Sequence, residues 1–173
     1  KRLKKYELSH LNMYDGIAAI TERDAQHFKD LGCRIPMTEI PIGIDCKNDG
    51  EPSSPPDLKT LPKLFHLGSM DWMPNREAIE WFLEEVWPKI EKLYPALQLF
   101  LAGNNMPESL IKLKSDNIHI DGYIQDANAY MANKDIMIVP LLSGSGMRVK
   151  IIEGMAHGKT IISTSIGAEG INY

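Results

Sequence analysis

The chain has 173 residues, of which 43% are hydrophobic and 24% charged, and a net charge of -4. That is enough for about one domain with additional pieces, and the composition is that of a soluble globular protein with a real core. The acidic balance excludes a general nucleic-acid surface, and no apolar run reaches the ~18–20 residues of a membrane span. Cys33 and Cys46 make no disulfide framework and lack metal-ligand spacing, so a reducing compartment and no metal are expected. There is no signal peptide and no initial Met, so a piece of a longer protein is expected. The basic start, KRLKK, reads as a solvated helix end; contact with an anionic membrane surface is the alternative.

In chain order, a polar helical start precedes a short apolar strand at Asp15 to Ile20. Thr21-Glu22-Arg23-Asp24 reads as an N-cap opening a helix to about Leu31, with Gly32 as its stop. Thr38 to Ile44 is a strand made short or irregular by its proline. Residues 46–63, with four prolines, form a linker between a first region, 1–45, and a second, 64–173. Strands are then expected at Leu64 to Gly68, Leu97 to Gly103, Ile118 to Asp121, Asp135 to Leu142 and Thr160 to Ser163. Helices are expected between them, at Pro74 to Leu93, Glu108 to Lys114, Asp126 to Asn133 and Met147 to His157. The first carries Ile79, Phe82, Val86, Ile90 and Leu93 at helical spacing, with Pro88 bending it or beginning a new turn. Alternation of this kind predicts an α/β fold, a doubly wound, Rossmann-like parallel sheet covered on both faces.

In the doubly wound strand order, the Leu64 and Asp135 strands are neighbours where the order reverses, and ligands bind outside strand carboxyl ends there. That places the turn Gly68-Ser69-Met70-Asp71-Trp72 against Ser143-Gly144-Ser145-Gly146. A glycine turn, a helix N-terminus and the cations Arg148 and Lys150 make a site for a negatively charged group. Glu153 does not suit a phosphate and suggests a hydroxyl contact. At 100° per residue, Gly146, Lys150, Glu153 and His157 share one stripe; the plainer reading of Lys150 and Glu153 is a surface pair. Gly154 to Thr160 fails as a P-loop, because three residues separate its glycines and it ends a helix rather than opening one. His157 reads as a cap, Trp81 and Trp87 as packing, and Trp72 as an open case in a cleft loop.

Several blocks together resemble family 4 retaining glycosyltransferases of the GT-B fold. They are Leu67 to Trp72 with Pro74-Asn75, Leu101-Ala102-Gly103, Ile120 to Ile124, and Val139-Pro140-Leu141. Gly144 to Lys150, Glu153 to Lys159 and Ser163 to Ile171 complete the set. Tyr6-Glu7, Asp15 to Thr21 and Pro41 to Asp45 are similar to the end of an acceptor domain in that family. The resemblance implies an incomplete donor domain, truncated at its C-terminal end, after the tail of an N-terminal acceptor domain. It implies binding of a nucleotide-diphosphate sugar as substrate, no cofactor, and transfer with retention to a glycan or lipid-linked acceptor. Cell-envelope polysaccharide or glycolipid synthesis is the implied setting, cytoplasmic, with peripheral contact at the inner face of the membrane as a further expectation.

Carried over residue by residue, the resemblance puts Glu153 on the ribose hydroxyls and the N–H groups of Gly146 and Met147 near the donor. Ser145 falls where the family often has a first acid, and Ser69 where it has an arginine. Arg148 and Lys150 are the expected replacements at the diphosphate. Gly68 closes the first strand beside them, and Ile124, with the Gly103 turn, would lie near the base. No protein nucleophile or other catalytic residue is identified, and these 173 residues alone are expected to be inactive. The alternatives are a GT-B sugar-nucleotide epimerase and a non-catalytic nucleotide-binding module. A receiver-like module fits poorly, since His66-Leu67-Gly68-Ser69 offers no carboxylate.

Overall fold

The structure, a computed structural model, describes residues 2–44 and 60–172. Most of the expected linker therefore lies outside the described residues. Contacts divide these residues into two units, one of 2–43 with 170–172 and one of 44 with 60–169.

In the smaller unit, α1 (Arg2–His10) precedes β1 (Ile17–Ala19), α2 (Glu22–Asp30) and β2 (Met37–Glu39). The Thr21 hydroxyl accepts the Asp24 N–H at 3.0 Å and caps α2. β1 and β2 pair in parallel, Ala18 against Thr38. β2 is shorter than expected, because Pro41 has no N–H for a ladder. The Asn12 side chain spans the start and end of the βαβ unit, donating to the Gly32 carbonyl at 3.1 Å and accepting the Arg34 N–H at 2.7 Å.

The larger unit begins with β3 (Lys63–Leu67), one residue earlier than expected. It continues through α3 (Met73–Trp81), a π-helical turn (Phe82–Val86), α4 (Trp87–Leu93), β4 (Gln98–Ala102) and α5 (Glu108–Ile111). β5 (Ile118–Gly122), α6 (Ala127–Ala132), β6 (Ile136–Val139), α7 (Val149–Ala156) and β7 (Thr160–Ser163) complete it. The strands form one parallel sheet in the order β5-β4-β3-β6-β7, the doubly wound order expected from sequence.

Strand alternation sorts the side chains onto two faces. Leu64, Leu99, Leu101 and Ile138 face a core built with Ile79, Phe82, Trp87 and Leu110 from α3, the π turn, α4 and α5. On the other face Phe65 meets the Tyr130 ring of α6 edge-on at 6.2 Å. Gly154 of α7 packs there against Met137 and Ile161, where an added Cβ would stand 3.1 Å from each.

The helix expected at Glu108 to Lys114 ends at Ile111, and three further elements of this unit depart from expectation. The long helix is interrupted because Pro88 lacks an N–H and its ring crowds the carbonyl one turn back; the Trp87 N–H reaches the Phe82 carbonyl instead, five residues away. The inserted residue rotates the following turn, so Leu93, expected on the buried stripe, is 72% exposed. β6 ends at Val139, where Pro140 removes a ladder donor. α7 starts at Val149 rather than Met147, because the chain before it is held in a turn by Arg148, whose backbone is extended (φ -92°, ψ 93°). Gly146 therefore lies off the stripe that was drawn through it.

Candidate functional site

The carboxyl ends of β3 and β6 are adjacent, and their following turns meet through side chains. Lys150 Nζ donates to the Leu67 carbonyl at 2.9 Å. Ser143 Oγ donates to Glu77 Oε2 of α3 at 2.7 Å. The Arg148 guanidinium lies over the Trp72 ring, its carbon 4.8 Å from the centroid. Between these contacts lies a cavity of about 260 Å³, lined by His66, Trp72, Asn75, Met147, Arg148 and Lys150 among polar and flexible groups, and by apolar residues of β6 and α7.

The turn after β6 is built around Arg148. Its Nη1 donates to the Ser145 carbonyl at 2.7 Å and the Gly146 carbonyl at 2.8 Å. Gly144 and Gly146 take φ values of +113° and +86°, which side chains at those positions would resist. No side chain caps α7; of its first N–H groups, that of Ile151 donates to the Arg148 carbonyl at 2.9 Å.

Unpartnered polar atoms concentrate here. Among the described residues, four buried side-chain nitrogens have no hydrogen-bond partner: His66 Nε2, Trp87 Nε1, and Nε and Nη2 of Arg148. Three of the four belong to residues lining this one cavity. Buried groups of this kind cost ~1–3 kcal/mol each when left unpaired, so their clustering marks a place for a ligand or ordered water.

His66 is buried, and its Nδ1 lies 3.0 Å from the Ile138 carbonyl. A carbonyl only accepts, so Nδ1 carries the proton and Nε2 presents a lone pair. Burial pushes its pKa down to about 4; the Ile138 bond opposes this and the Lys150 charge adds to it. Burial also lowers the Lys150 pKa, against the Glu153 charge, which raises it.

The sequence-predicted residues are only partly brought together. Met147, Arg148 and Lys150 line the cavity. Ser145 and Gly146 sit exposed on the turn above Arg148. Gly68 is buried at the end of β3, its N–H bonded to the Ala102 carbonyl at 2.9 Å, and the Ser69 carbonyl accepts from Asn75 Nδ2 at 2.9 Å. Glu153, half-buried in the second turn of α7, does not line the cavity, and Ile124 follows β5, two strands from β3. His157 is the C-cap residue of α7, with Nε2 3.1 Å from Asn128 Oδ1. His66 and Asn75 were not anticipated. A histidine inside the apolar run LFHLG was the available signal for the first.

Among the described residues, no three His, Cys, Asp or Glu side chains gather to hold a metal ion, and no helix is long and apolar enough to cross a membrane.

The family profile of group 1 glycosyl transferases matches residues 61–172. The chain belongs to the group 1 glycosyltransferases. A protein from the cps region of Klebsiella pneumoniae, described as an uncharacterized 44.6 kDa protein, is 29% identical over 123 residues, 66% of this chain and 31% of that protein. Among solved structures, TarM superimposes with a TM-score of 0.71 at 17% identity, over 94% of this chain and 32% of TarM. Anabaena HepE, in a complex with UDP and glucose, gives 0.64 at 14% identity, over 94% of this chain and 48% of HepE. These likenesses place the sheet of this group 1 glycosyltransferase in the GT-B, Rossmann-like class. The chain spans about a third of the length of the Klebsiella relative and of TarM.

Proposed function

We propose that this chain is the donor-binding part of a retaining, family 4 glycosyltransferase. It would bind a nucleotide-diphosphate sugar where β3 and β6 end. The observation that carries this reading is the pair of unpartnered donors, Nε and Nη2 of Arg148, on a residue lining that cavity, at the start of α7, which no side chain caps. Arg148, Lys150 and the N–H groups of Gly146 and Met147 would hold the diphosphate, and Glu153, one turn further along α7, the ribose hydroxyls. Gly68 and Ser69 would form the opposite wall, Ser145 would approach the sugar, and Ile124 the base. The nucleotide sugar is the substrate, and no resident cofactor is invoked.

The chemistry follows from charge. Cleaving the sugar–phosphate bond leaves a diphosphate and an oxocarbenium-like sugar, and fixed donors on the diphosphate stabilise that separation. The acceptor, a glycan or lipid-linked glycan, would be held by the rest of an N-terminal domain. The cps-region relative supports a role in surface polysaccharide synthesis. A cytoplasmic enzyme is the reading consistent with nucleotide-sugar supply. Peripheral membrane contact would fall to the exposed, basic α1, which carries Arg2, Lys4 and Lys5 beside Leu3, 70% exposed.

Glu153→Gln keeps the size of the side chain and removes its charge. A ribose hydroxyl bonded to a carboxylate is held ~1–1.5 kcal/mol more firmly than one bonded to an amide, about a tenfold difference in affinity. Calorimetric titration with UDP, GDP and ADP should show that loss for whichever binds, and a smaller loss for the 2′-deoxy form of the same nucleotide. Equal affinity of the two proteins would remove Glu153 from the ribose.

A further inference from the structure

We propose that Trp72 is a positioning residue that holds the Arg148 guanidinium for bidentate contact with the diphosphate of a nucleoside diphosphate. The proposal rests on the nucleotide-binding reading above and deepens it.

Trp72 is a large aromatic side chain left 40% exposed, outside the buried core. It sits on the turn after β3, and the guanidinium carbon of Arg148, supplied by the turn after β6, lies over its ring, 4.8 Å from the centroid. A guanidinium is planar and favours an aromatic face, which fixes the plane without using any of its donors. The turn leaves room for this contact. A Cβ on Gly144 would meet Arg148 Nη2 at 2.7 Å and two atoms of the Trp72 ring at 3.3 Å.

The donors of Arg148 divide in two. Nη1 is committed to the Ser145 and Gly146 carbonyls and ties the side chain to its own turn. Nε and Nη2, which form one edge of the guanidinium, have no partner. That edge is the one that places two parallel N–H groups on two oxygens of a single phosphate. Carbonyls on the Nη1 side and an indole under the guanidinium carbon therefore leave one edge of this cavity-lining residue without a partner. The turn after β3 thereby contributes an aromatic platform that orients the cation of the other turn.

The test uses UDP, GDP and ADP, each with its nucleoside, titrated calorimetrically into the full chain carrying Trp72→Ala, Trp72→Phe, Arg148→Ala or the Trp72→Ala/Arg148→Ala pair. Trp72→Ala should weaken diphosphate binding about tenfold and leave nucleoside binding unchanged, and Trp72→Phe, which keeps a ring, should recover most of the loss. The double variant should bind about as weakly as Arg148→Ala alone, because one residue acts through the other. Wild-type-like binding by Trp72→Ala, an equal loss for the nucleoside, or a double variant weaker by the product of both effects would overturn the role of Trp72 while the nucleotide reading stood. A wild-type chain that bound none of the three nucleotides would overturn that reading, and this inference with it.

Discussion

Replacing Gly103 with alanine is expected to cost about 3 kcal/mol or more of stability and to lower the melting midpoint by about 10 °C. A Cβ there would lie 1.8 Å from the Gly68 carbonyl oxygen and 2.5 Å from its carbon, and Gly103 has a φ of +146°. Neither strand end is free to withdraw. The Gly103 N–H donates to the Gly122 carbonyl at 2.7 Å, the Gly68 N–H to Ala102 at 2.9 Å, and the Met70 N–H to Asn104 at 2.9 Å. Accommodating one methyl means breaking part of this lattice, and the displaced segment is the turn that carries Ser69 and Trp72. Nucleotide binding should therefore fall with stability. Gly43→Ala, with no atom of the described residues within 4 Å of the added carbon, is the control and should change stability by less than about 0.5 kcal/mol. Thermal unfolding of the two variants checks the claim, and a Gly103→Ala midpoint within a degree or two of wild type would refute it.

Acid is expected to destabilise the protein through His66. Its folded-state pKa, about 4, lies below the ordinary histidine value of 6.5. Above pH 6.5 the ring is neutral in both states, and its contribution is fully present. Between pH 6.5 and about 4 the unfolded chain takes up a proton that the folded chain refuses, so stability falls as pH falls through that window. The loss by pH 4.5 is about 2–3 kcal/mol. Urea unfolding from pH 7.5 to 4.5 would include other titrating groups. His66→Gln, which still donates an N–H and does not titrate, isolates the histidine: its profile should be flatter by the stated amount. Parallel profiles would mean that His66 accepts a proton in the folded state.

The strand order was legible because the turns Gly68, Gly103 and Gly122 punctuate short apolar runs and helical segments separate them. The stripe Ile79, Phe82, Val86, Ile90 continued past Pro88 in the pattern, but a missing N–H changes the winding of a helix, and Leu93 left the core. At the site, the pattern of Gly144 to Lys150 led to the expectation of an anion-binding turn without showing how that turn is held. Arg148 bonds to carbonyls of its own turn, while Trp72 lies 76 positions earlier in sequence, so their contact depends on β3 and β6 being neighbours. His66 was unreadable for a similar reason. Its partner is the Ile138 carbonyl on the adjacent strand, and one polar residue in an apolar strand carries no sign of which backbone group awaits it. Ile124 and Glu153 were placed near a nucleotide by resemblance; they stand at β5's exit and in α7's second turn, and neither lines the cavity.

The most direct measurement is a crystal structure of the protein with the nucleoside diphosphate it binds most tightly, chosen from UDP, GDP and ADP. The account predicts the diphosphate at the start of α7, within hydrogen-bonding distance of the Gly146 or Met147 N–H groups and of the Nε and Nη2 edge of Arg148, with the ribose hydroxyls on Glu153. A diphosphate bound away from the turn after β6, with the Arg148 edge still unpartnered, would contradict it.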